Sequence, residues 1–448
     1  MNPNAVKTKI NYQQFVETCR TNINVSFSDS AFDFPIVVIN AFTTSNEINY
    51  NFQRCSFKRI EFLNTNFKGK IYFHDCQIEE DFIVNNCVFS QPFMIYYISA
   101  KSIRIWDNDF LKRIDVYDFK NVETLILQFR KVMGRVHVKQ WHVDQVELNS
   151  IHITFEEIEA CSIHLEDFFT KKIEIQFSGQ LLQNPVRLND LRGKEINIYK
   201  LKNKSTNSVD LARIEADEIS IVWLHNDGWL NLRNIKCGSD KKGSLFNIMD
   251  SYFGNAELYN IDLQSFKKVH IFNCHLQNII PVNVKWNFNM AAYKEVKPEY
   301  SRELFRQFKN VCFKNMDKVS QLQFERMEMT FYSTQLHWRK NFQDWFILKT
   351  NQFSNNHGIN WLLPLGWLLF FSLTFFSAIV LFSGCFLSYN FGNYLTFIFP
   401  WHNIEGLLKG GCSKISNSNW VLFFDFLQKL FSSYFIFQFL RSFRKYVN

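Results

Sequence analysis

Asn51-Phe52-Gln53-Arg54-Cys55-Ser56-Phe57-Lys58-Arg59-Ile60-Glu61-Phe62-Leu63-Asn64-Thr65-Asn66-Phe67 places a phenylalanine at every fifth position. After a slip of one residue, apolar side chains continue at the same spacing: Phe73, Ile78, Ile83, Val88, Phe93, Ile98 and Ile103. Neither a helix, with a period of about 3.6, nor a strand, with a period of about 2, produces this repeat. A β-solenoid of square cross-section does, because each side of the square turns one apolar residue toward the axis.

Beyond Ile103 the pattern changes to pairs of apolar residues separated by one position, which is typical of short strands with one face inward. Early in this series successive pairs start eleven residues apart, so eleven residues are expected to form half a coil. The pairs are Ile103/Ile105, Ile114/Val116, Leu125/Leu127, Val136/Val138, Val146/Leu148, Ile163/Leu165, Ile173/Ile175, Ile196/Ile198 and Ile219/Ile221. Stacked coils stabilise one another through their neighbours, so we expect a stiff rod.

Small and polar residues accompany the apolar pattern. A cysteine stands two positions before an apolar residue, as a small side chain beside a large inward one, at Cys55, Cys76, Cys87, Cys161 and Cys274. Polar residues that we predict to face outward or to occupy the corners are Asn64, Asn66, Asp75, Asn85, Asn86, Asp107, Asn108 and Asp109. We assign the solenoid to residues 46–285, after an N-terminal cap at 1–45 with one helix near 12–20.

A helical connector is predicted at 286–352, where the composition changes after Pro281. Residues 298–313 begin with proline and glutamate, as helices often do, and a second amphipathic run covers 320–338. The residues expected on the apolar faces are Leu304, Phe308, Val311, Cys312, Phe324, Met327 and Phe331. The two runs, separated by a break at 314–318, predict an α-helical hairpin.

Residues 359–404 contain no Asp, Glu, Lys or Arg. This apolar run exceeds the roughly 20 residues that cross a bilayer as a helix. A second apolar run lies at 420–443, so we predict a C-terminal two-helix transmembrane domain at 359–448. Basic residues flank the outer ends of both runs, which places these ends in the cytoplasm by the positive-inside rule: Arg339, Lys340, Lys349, Arg441, Arg444 and Lys445.

Several classes of protein are disfavoured by the sequence. Residues 1–10 lack the apolar core of a signal peptide, so the solenoid is expected to stay in the cytoplasm. The ten cysteines form no Cys-x-x-Cys pair and are expected to be buried thiols rather than disulfides or zinc ligands. The formal charge of +8 argues against an acidic rod that mimics DNA, so we expect no nucleic-acid partner.

No enzyme motif is present in the sequence, whether a nucleophile elbow, a phosphate-binding loop, a dinucleotide turn or a zinc-protease motif. We therefore predict no enzyme activity, no catalytic residue and no cofactor. His137, His142, His152 and His164 crowd one stretch, but alternating strands give them no fixed ligand spacing. A structural or solvent-facing role is expected for them rather than a metal site.

Two stretches of the C-terminal part resemble bacterial pentapeptide-repeat membrane proteins. They are residues 299–329, with Tyr-Ser-Arg-Glu-Leu-Phe-Arg-Gln-Phe-Lys-Asn near the start and Gln-Leu-Gln-Phe-Glu-Arg-Met-Glu-Met near the end, and residues 433–446. The resemblance covers roughly 295–448 and, more loosely, the solenoid. It implies a right-handed, degenerate pentapeptide-repeat-like solenoid and a multi-pass location in a bacterial inner membrane, with both termini cytoplasmic.

Some members of this family carry a two-helix module similar to an ion channel, and the resemblance implies such a module here. The loop between the two apolar runs departs from the channel pattern. It contains Tyr394-Leu395-Thr396-Phe397-Ile398-Phe399-Pro400-Trp401-His402 and no glycine-bearing filter. This difference argues against selective potassium conduction.

Asp425, Gln428, Lys429 and Ser432 recur at helical spacing near the start of the second apolar run. Ionisable groups inside a bilayer are costly and usually face a partner or a water path, so these four residues are candidates to line a pore. In the alternative interpretation, Asp425 and Lys429 form an i,i+4 pair at the depth of the membrane interface.

Residues 394–401 form an apolar segment that is too short to span a bilayer. One interpretation is a re-entrant pore segment, with Thr396, Phe399, Pro400 and His402 as the pore-loop candidates. The other is an aromatic belt at the lipid headgroups that includes Trp401 and Trp420.

Two hypotheses on function follow. In the first, the cytoplasmic solenoid senses an unknown protein or small ligand and is coupled to a transmembrane pore that changes membrane permeability, as an anti-phage defence effector would. Two spans cannot enclose a water path alone, so this hypothesis requires a homo-oligomer. In the second, the chain is a non-conducting scaffold for protein–protein interaction, tethered to the lipid bilayer.

Overall fold

The computed structural model describes residues 8–21, 24–39, 48–140, 148–158, 162–177, 181–182, 184–204, 206–239, 242–276, 278–383, 391–404 and 419–443. The chain divides into two compact units, Met1–Val296 and Lys297–Asn448. The first unit consists mainly of β-strands and the second of α-helices. The predicted mainly β solenoid followed by helices is therefore confirmed.

The N-terminal unit is a parallel β-solenoid of about ten turns over residues 8–282. Helix α1 (Tyr12–Thr21) confirms the helix predicted near 12–20. The strands of the early coils are short: β1 (Thr8–Lys9), β2 (Asn24–Ser28), β3 (Ser30–Phe32), β4 (Ile36–Ile39), β5 (Asn49–Gln53), β6 (Ser56–Phe57), β7 (Ile60–Leu63), β8 (Asn66–Phe67), β9 (Ile71–His74), β10 (Gln77–Ile78), β11 (Asp81–Asn85), β12 (Val88–Phe89) and β13 (Phe93–Tyr96).

The strands of the middle coils are longer, and several of them run through a corner. They are β14 (Ser102–Phe110), β15 (Ile114–Tyr117), β16 (Thr124–Val132), β17 (Val136–Lys139), β18 (Leu148–Ile158), β19 (Ile163–Phe177), β20 (Leu181–Leu182), β21 (Val186–Tyr199), β22 (Lys202–Asn203) and β23 (Ser208–Val222). The last coils contain β24 (His225–Asn226), β25 (Trp229–Cys237), β26 (Leu245–Met249), β27 (Asn255–Tyr259), β28 (Lys268–Phe272) and β29 (Asn278–Val282), with short 3-10 helices at Leu263–Ser265 and Met290–Tyr293.

The register between neighbouring strands gives the length of a coil. Hydrogen bonds between side chains of adjacent coils join Asn64 to Asn86 and Asp81 to Ser102. The two residues of the first pair are 22 positions apart in the sequence, and those of the second pair are 21 positions apart. The prediction that eleven residues form half a coil is therefore confirmed for these early coils. In a later coil the paired residues Lys139 and Glu166 are 27 residues apart, because residues are inserted between the strands.

The axis of the solenoid is filled by aromatic columns. In one of them each phenylalanine contacts the equivalent ring of the next coil, with ring centroids 4.8 to 5.5 Å apart, through Phe67, Phe89, Phe110, Phe129, Phe155 and Phe177. The other members of the predicted apolar pairs are buried as well, apart from Val146, which lies outside the described residues, and Leu148, whose side chain is not described. Large rings and alternating aliphatic residues fill the interior without a regular one-in-five pattern.

Part of the predicted five-residue ladder is wrong. Ile83 and Val88 do not point to the axis, since they pair with the outward residues Glu61 and Asn66, although Ile83 itself is only 7% exposed. The inward residues of this coil are Phe82, Val84 and Phe89. The coil length is not a multiple of five, and the strands alternate with a period of two, so a strict count of five drifts to the wrong face.

Each coil turns at residues whose backbone is left-handed, and these residues form columns. At one corner, Arg54, Asp75, Tyr97 and Asp118 follow one another with φ between 50° and 55°. At another, the column contains Asp167, Asp190, Arg213, Asn234, Asn260 and Asn283. Asparagine and aspartate adopt this conformation more readily than most residues, which explains why the predicted corner positions are rich in them.

At several corners the next residue is small and buried, and it donates a hydrogen bond to the carbonyl two positions earlier. The Cys55 Sγ lies 3.3 Å from the Gln53 carbonyl oxygen, and Thr65 Oγ1 lies 2.7 Å from that of Leu63. The prediction that Asn108 faces outward is wrong, because it occupies such a position. Its Nδ2 donates to the Trp106 carbonyl at 2.7 Å and to the Val84 carbonyl at 3.0 Å.

The C-terminal unit contains six described helices, namely α2 (Pro298–Lys314), α3 (Lys318–Gln335), α4 (Phe342–Asn355), α5 (Leu362–Ser383), α6 (Phe391–Phe397) and α7 (Asn419–Phe443). The predicted helices at 298–313 and 320–338 correspond to α2 and α3, which pack against each other as a hairpin. Phe324 of α3 contacts Phe308 of α2 with ring centroids 5.1 Å apart, and a buried Lys309–Glu328 ion pair of 2.6 Å joins the helices. The separate helix α4 was not predicted.

The corrected register of the solenoid can be tested by two matched substitutions. We expect Val84→Ala to lower the free energy of unfolding of the solenoid by about 2 kcal/mol, because the side chain is fully buried. Val88→Ala should cost less than about 1 kcal/mol, since Val88 is only half-buried and pairs with the outward Asn66. Urea unfolding of the full chain in detergent, followed by circular dichroism, measures both. Equal losses, or a larger loss for Val88→Ala, would favour the strict five-residue ladder.

Candidate functional site

Helix α7 carries its polar residues on the inside and its apolar residues on the outside. The buried face holds Asp425, Gln428, Ser432, Gln438 and Ser442. The exposed face holds Trp420, Leu422, Phe423, Phe426, Leu430, Phe437 and Leu440. An amphipathic helix of a water-soluble protein has the opposite arrangement.

Helices α5 and α7 are each long and apolar enough to cross a membrane. They pack against each other through aromatic rings, with Phe371 of α5 stacked on Phe431 and Phe435 of α7 at centroid distances of 4.9 and 5.5 Å. Much of the outer surface of α5 is apolar too, including Leu369, Phe370 and Leu381. The loop predicted to connect the two runs, at 388–419, lies outside the described residues except for 391–404 and residue 419.

The described part of this loop packs between the two long helices. Helix α6 places Phe397 against Phe376 of α5, with ring centroids 5.3 Å apart. Ile398 packs against Leu368 of α5 and Phe435 of α7, and both of these lie well inside their helices. The Tyr394 hydroxyl donates to the Leu369 carbonyl oxygen at 3.0 Å. Residues 391–404 therefore enter the space between α5 and α7 and turn back, and we call them the re-entrant segment.

Gln428 and Ser432 of α7 hold the turn of the re-entrant segment. The Gln428 side-chain amide Nε2 donates to the Phe397 carbonyl oxygen at 2.5 Å and lies 3.3 Å from that of Ile398. The same nitrogen lies 2.7 Å from Ser432 Oγ. These carbonyls belong to the end of α6, where helix carbonyls lack intrahelical partners, so Gln428 acts as a side-chain cap.

Asp425 lies between two basic side chains. Its Oδ1 is 2.7 Å from His402 Nε2 of the re-entrant segment, and its Oδ2 is 2.8 Å from Lys429 Nζ. The other ring nitrogen of His402, Nδ1, donates to the Phe399 carbonyl oxygen at 2.7 Å. The His402 ring is completely buried, whereas Lys429 is partly exposed. The cluster fixes the returning end of the re-entrant segment to α7 through charged hydrogen bonds.

The structure brings five of the eight predicted site residues together: Asp425, Gln428, Lys429, Ser432 and His402. The side chains of the other three do not join this cluster, although the Phe399 carbonyl oxygen accepts a hydrogen bond from His402. Thr396 and Phe399 are exposed, and Pro400 is half-buried. The predicted i,i+4 contact between Asp425 and Lys429 is present, but Asp425, Gln428 and Ser432 face the re-entrant segment of the same chain.

A second polar layer ties α4 to the far end of α7. The Asn355 side-chain amide donates to Gln438 Oε1, and Gln438 Nε2 donates to Asn351 Oδ1 at 3.3 Å. Ser354 Oγ lies 3.0 Å from the Tyr434 hydroxyl. Sequence reasoning missed this layer, although the spacing from Ser432 through Gln438 to Ser442 shows that the polar stripe continues along the helix.

His357 was also missed. It follows α4 with a left-handed backbone, φ 57°, and it is buried, with no hydrogen-bond partner for Nε2 among the described residues. Burial lowers the pKa of His357 to about 4, and the positive charges of Arg441, Arg326 and Lys349 add to this effect. The ring is therefore neutral near pH 7. A lone histidine after a helix gives no signal in the sequence that would identify such a position.

The described histidines of the solenoid contact other side chains rather than a shared ligand site. The His137 ring contacts that of His164 at 5.5 Å, and its Nδ1 lies 2.6 Å from the Tyr117 hydroxyl. Within the described part of the chain, no group of three or more His, Cys, Asp or Glu side chains is placed to hold a metal ion. His142 lies outside the described residues.

Replacing Gln428 should loosen the re-entrant segment. We expect Gln428→Leu to increase amide hydrogen exchange over residues 391–404 by roughly ten-fold or more, since the buried Phe397 carbonyl loses its partner. Phe426→Leu, on the exposed face of α7, is the control and should leave exchange unchanged. Exchange measured by mass spectrometry in detergent micelles tests this. Equal exchange in both variants would show that Gln428 does not hold the segment.

The stability of the C-terminal unit should depend on pH through His357. Because its pKa falls from 6.5 to about 4 on folding, the folded state binds fewer protons than the unfolded state between these values. The stabilisation should be complete above about pH 6.5 and lost as the pH falls toward 4. We expect the Tm in detergent to decrease over this range more steeply in the wild type than in His357→Gln. Parallel pH profiles would exclude His357 as the source.

No protein-family model, no curated protein and no solved structure matches this chain. The resemblance to pentapeptide-repeat membrane proteins therefore stays a prediction. The β-solenoid and the two long apolar helices are shown by the geometry of the chain itself.

Proposed function

We propose that the chain is a membrane protein in which α5 and α7 cross the lipid bilayer and the solenoid lies in the cytoplasm as a sensor or binding module. We propose further that several copies assemble into a pore that changes membrane permeability when a protein or small ligand binds the solenoid. The observation that carries the proposal is the inverted surface of α7 around the re-entrant segment.

The inverted surface supports membrane insertion for a physical reason. In water, exposing side chains such as Phe426 and Leu430 while burying Asp425 would be unfavourable on both counts. In lipid, exposing the apolar face carries no unfavourable free energy, and the polar groups must find partners inside the protein. Helix α4 adds support, since Phe342, Phe346, Ile347 and Phe353 are exposed. Such a helix suits the membrane interface.

The re-entrant segment supports assembly. Irregular backbone at membrane depth is tolerated where it is covered by protein or lines a water-filled cavity. Residues 398–403 form a non-helical turn, and its Phe399 and Trp401 side chains are exposed in the single chain. A ring of subunits with closed symmetry would cover this turn and could place it beside a central water path. Among the predicted pore-loop residues, the side chains of Thr396 and Phe399 are exposed in the single chain, and Pro400 is half-buried.

The solenoid offers surfaces for a trigger. One groove of about 580 Å³ is lined by Lys171, Arg192, Lys194, Glu215 and Asp217 among others, so charges of both signs surround it. Such a groove suits a polar ligand or a charged segment of a protein partner. If an infected bacterial cell supplied this trigger, pore opening would depolarise the cell, and we propose anti-phage defence as the biological use.

Carbonate extraction followed by flux measurement tests the proposal. We expect the chain to remain in the membrane fraction, to purify in detergent as an oligomer and to release an entrapped cation from liposomes. Asp425→Asn should change the flux at least several-fold, because it weakens the contacts that position the re-entrant segment. Glu257→Gln in the solenoid is a charge-matched control outside the C-terminal unit.

The outcomes separate the proposed pore from the alternative scaffold. Extraction by carbonate would contradict membrane insertion. A membrane-bound monomer with no flux, in the wild type and in both variants, would contradict the pore and favour a tethered scaffold. The scaffold has one observation in its favour, since the interior between α5, α6 and α7 of one chain is filled by side chains.

A further inference from the structure

His402 of the re-entrant segment faces a hydrogen-bond acceptor at each of its two ring nitrogens. Nδ1 lies 2.7 Å from the Phe399 carbonyl oxygen, and Nε2 lies 2.7 Å from Asp425 Oδ1. The side chain is completely buried, so water does not compete for either nitrogen. A carbonyl oxygen has no proton to donate, and Nδ1 must therefore carry a proton itself.

The contact with Asp425 requires a second proton. An ionised carboxylate only accepts hydrogen bonds, so it can bond to Nε2 only when Nε2 is protonated. A neutral histidine has one protonated ring nitrogen, and that nitrogen is already Nδ1. His402 and Asp425 together therefore hold one proton more than a neutral imidazole and a carboxylate. The count is the same if this proton belongs to Asp425, because it still lies between Oδ1 and Nε2.

The charged side chains at this contact come from α7. Residues 359–404, which include α5 and α6, contain no Asp, Glu, Lys or Arg, and Asp425 is the single acidic residue of α7. Lys429 Nζ lies 2.8 Å from Asp425 Oδ2. Tyr394 of α6 donates to the Leu369 carbonyl oxygen rather than to this cluster. The carboxylate of Asp425 is therefore shared between Lys429 and His402.

Loss of the extra proton would break the contact between His402 and Asp425. The lone pair of Nε2 would then face the lone pairs of the carboxylate at 2.7 Å, and two acceptors at this distance repel each other. The ring is buried, so neither group could replace the lost hydrogen bond with water without moving. Gln428 would still hold the Phe397 carbonyl, so the loosening would affect the returning end, residues 399–404.

We propose that His402 and Asp425 form a proton-binding site that fixes the returning end of the re-entrant segment to α7. With the proton bound the contact is made, and without it the returning end separates from α7. Protons can reach the site from the side of Lys429, whose side chain is 37% exposed, through the Asp425 carboxylate, which is 10% exposed.

A role of this proton in gating rests on the proposed function, whereas proton binding itself does not. Asp425 lies in the second turn of α7, near Asn419 and far from the Phe443 end. If the Phe443 end is cytoplasmic, the site lies in the outer half of the bilayer and exchanges protons with the external side. External acid would then stabilise the packed re-entrant segment, and external alkali would release it.

Hydrogen exchange of the full chain in detergent, measured by mass spectrometry, tests the proposal. The protection of residues 399–404 is compared at about pH 6 and about pH 9, after correction for the intrinsic exchange rate. We expect the protection in the wild type to be roughly ten-fold or more lower at the higher pH. The sign follows because the folded state holds an additional proton, so this stabilisation is lost as the pH rises.

Asp425→Asn separates the proton from the shape of the site. An asparagine amide can donate to the lone pair of Nε2 in a neutral histidine, so this contact needs no extra proton. We expect the same protection at both pH values in this variant, through a weaker hydrogen bond. His402→Gln has no titratable ring and should be equally independent of pH. His357→Gln removes another buried histidine of the C-terminal unit and, as the matched control, should respond like the wild type.

The proposal is overturned if the wild-type protection is equal at both pH values, or if Asp425→Asn loses protection with pH as the wild type does. Loss of the wild-type response in His357→Gln would assign the proton to that residue and would overturn the proposal too. The measurement needs neither insertion into a bilayer nor conduction. A failed extraction or flux experiment would therefore leave this result unchanged, and a missing pH response would leave the proposed pore untouched.

Discussion

Backbone and side-chain polar groups need partners wherever water is excluded, and the two units of this chain meet that requirement in different ways. In the solenoid the partners come from the next coil, through parallel strands in continuous register and through small residues such as Thr65 that bond to corner carbonyls. In the C-terminal unit they come from within helices and from side chains of α7 such as Gln428. The rest of the architecture depends on these two sources of hydrogen-bond partners.

In the solenoid, hydrogen bonding between neighbouring coils leaves the interior free for apolar packing. Because strands and corners bond to neighbouring coils, the axis can be filled by phenylalanine columns and aliphatic pairs with almost no polar atoms. Coils can then differ in length, as the unequal spacings of Asp81 to Ser102 and of Lys139 to Glu166 show, while the strands stay in register. The spacing between paired residues can therefore vary without loss of the strand register that builds the core.

In the C-terminal unit, the same requirement explains why the polar residues are gathered at two levels. The layer around Asp425 and Gln428 satisfies the end of the re-entrant segment, and the layer around Asn355 and Gln438 joins α4 to α7. The two layers belong to one helix, so a change at one level can reach the other through α7.

Much of the architecture could be predicted from local pattern. Long apolar runs identified both long helices, Pro298 marked the start of α2, and alternating pairs such as Ile173/Ile175 identified inward strand faces. These features depend on periods of residues close in sequence, which one chain displays directly. The exact inward residues of an early coil could not be counted this way, as Val84 and Val88 show, because register is set by the neighbouring coil rather than by a fixed interval.

The polar residues of α7 were recognised from the sequence as candidates, but what they contact was decided only by the tertiary structure. His402 lies 23 residues before Asp425, and Gln438 lies 83 residues after Asn355, so no local period relates them. Local spacing of apolar residues was enough to predict a solenoid followed by apolar helices, because hydrophobic burial follows that spacing. Which polar groups meet could be seen only in the folded chain, because their hydrogen bonds depend on how distant segments return to one another in space.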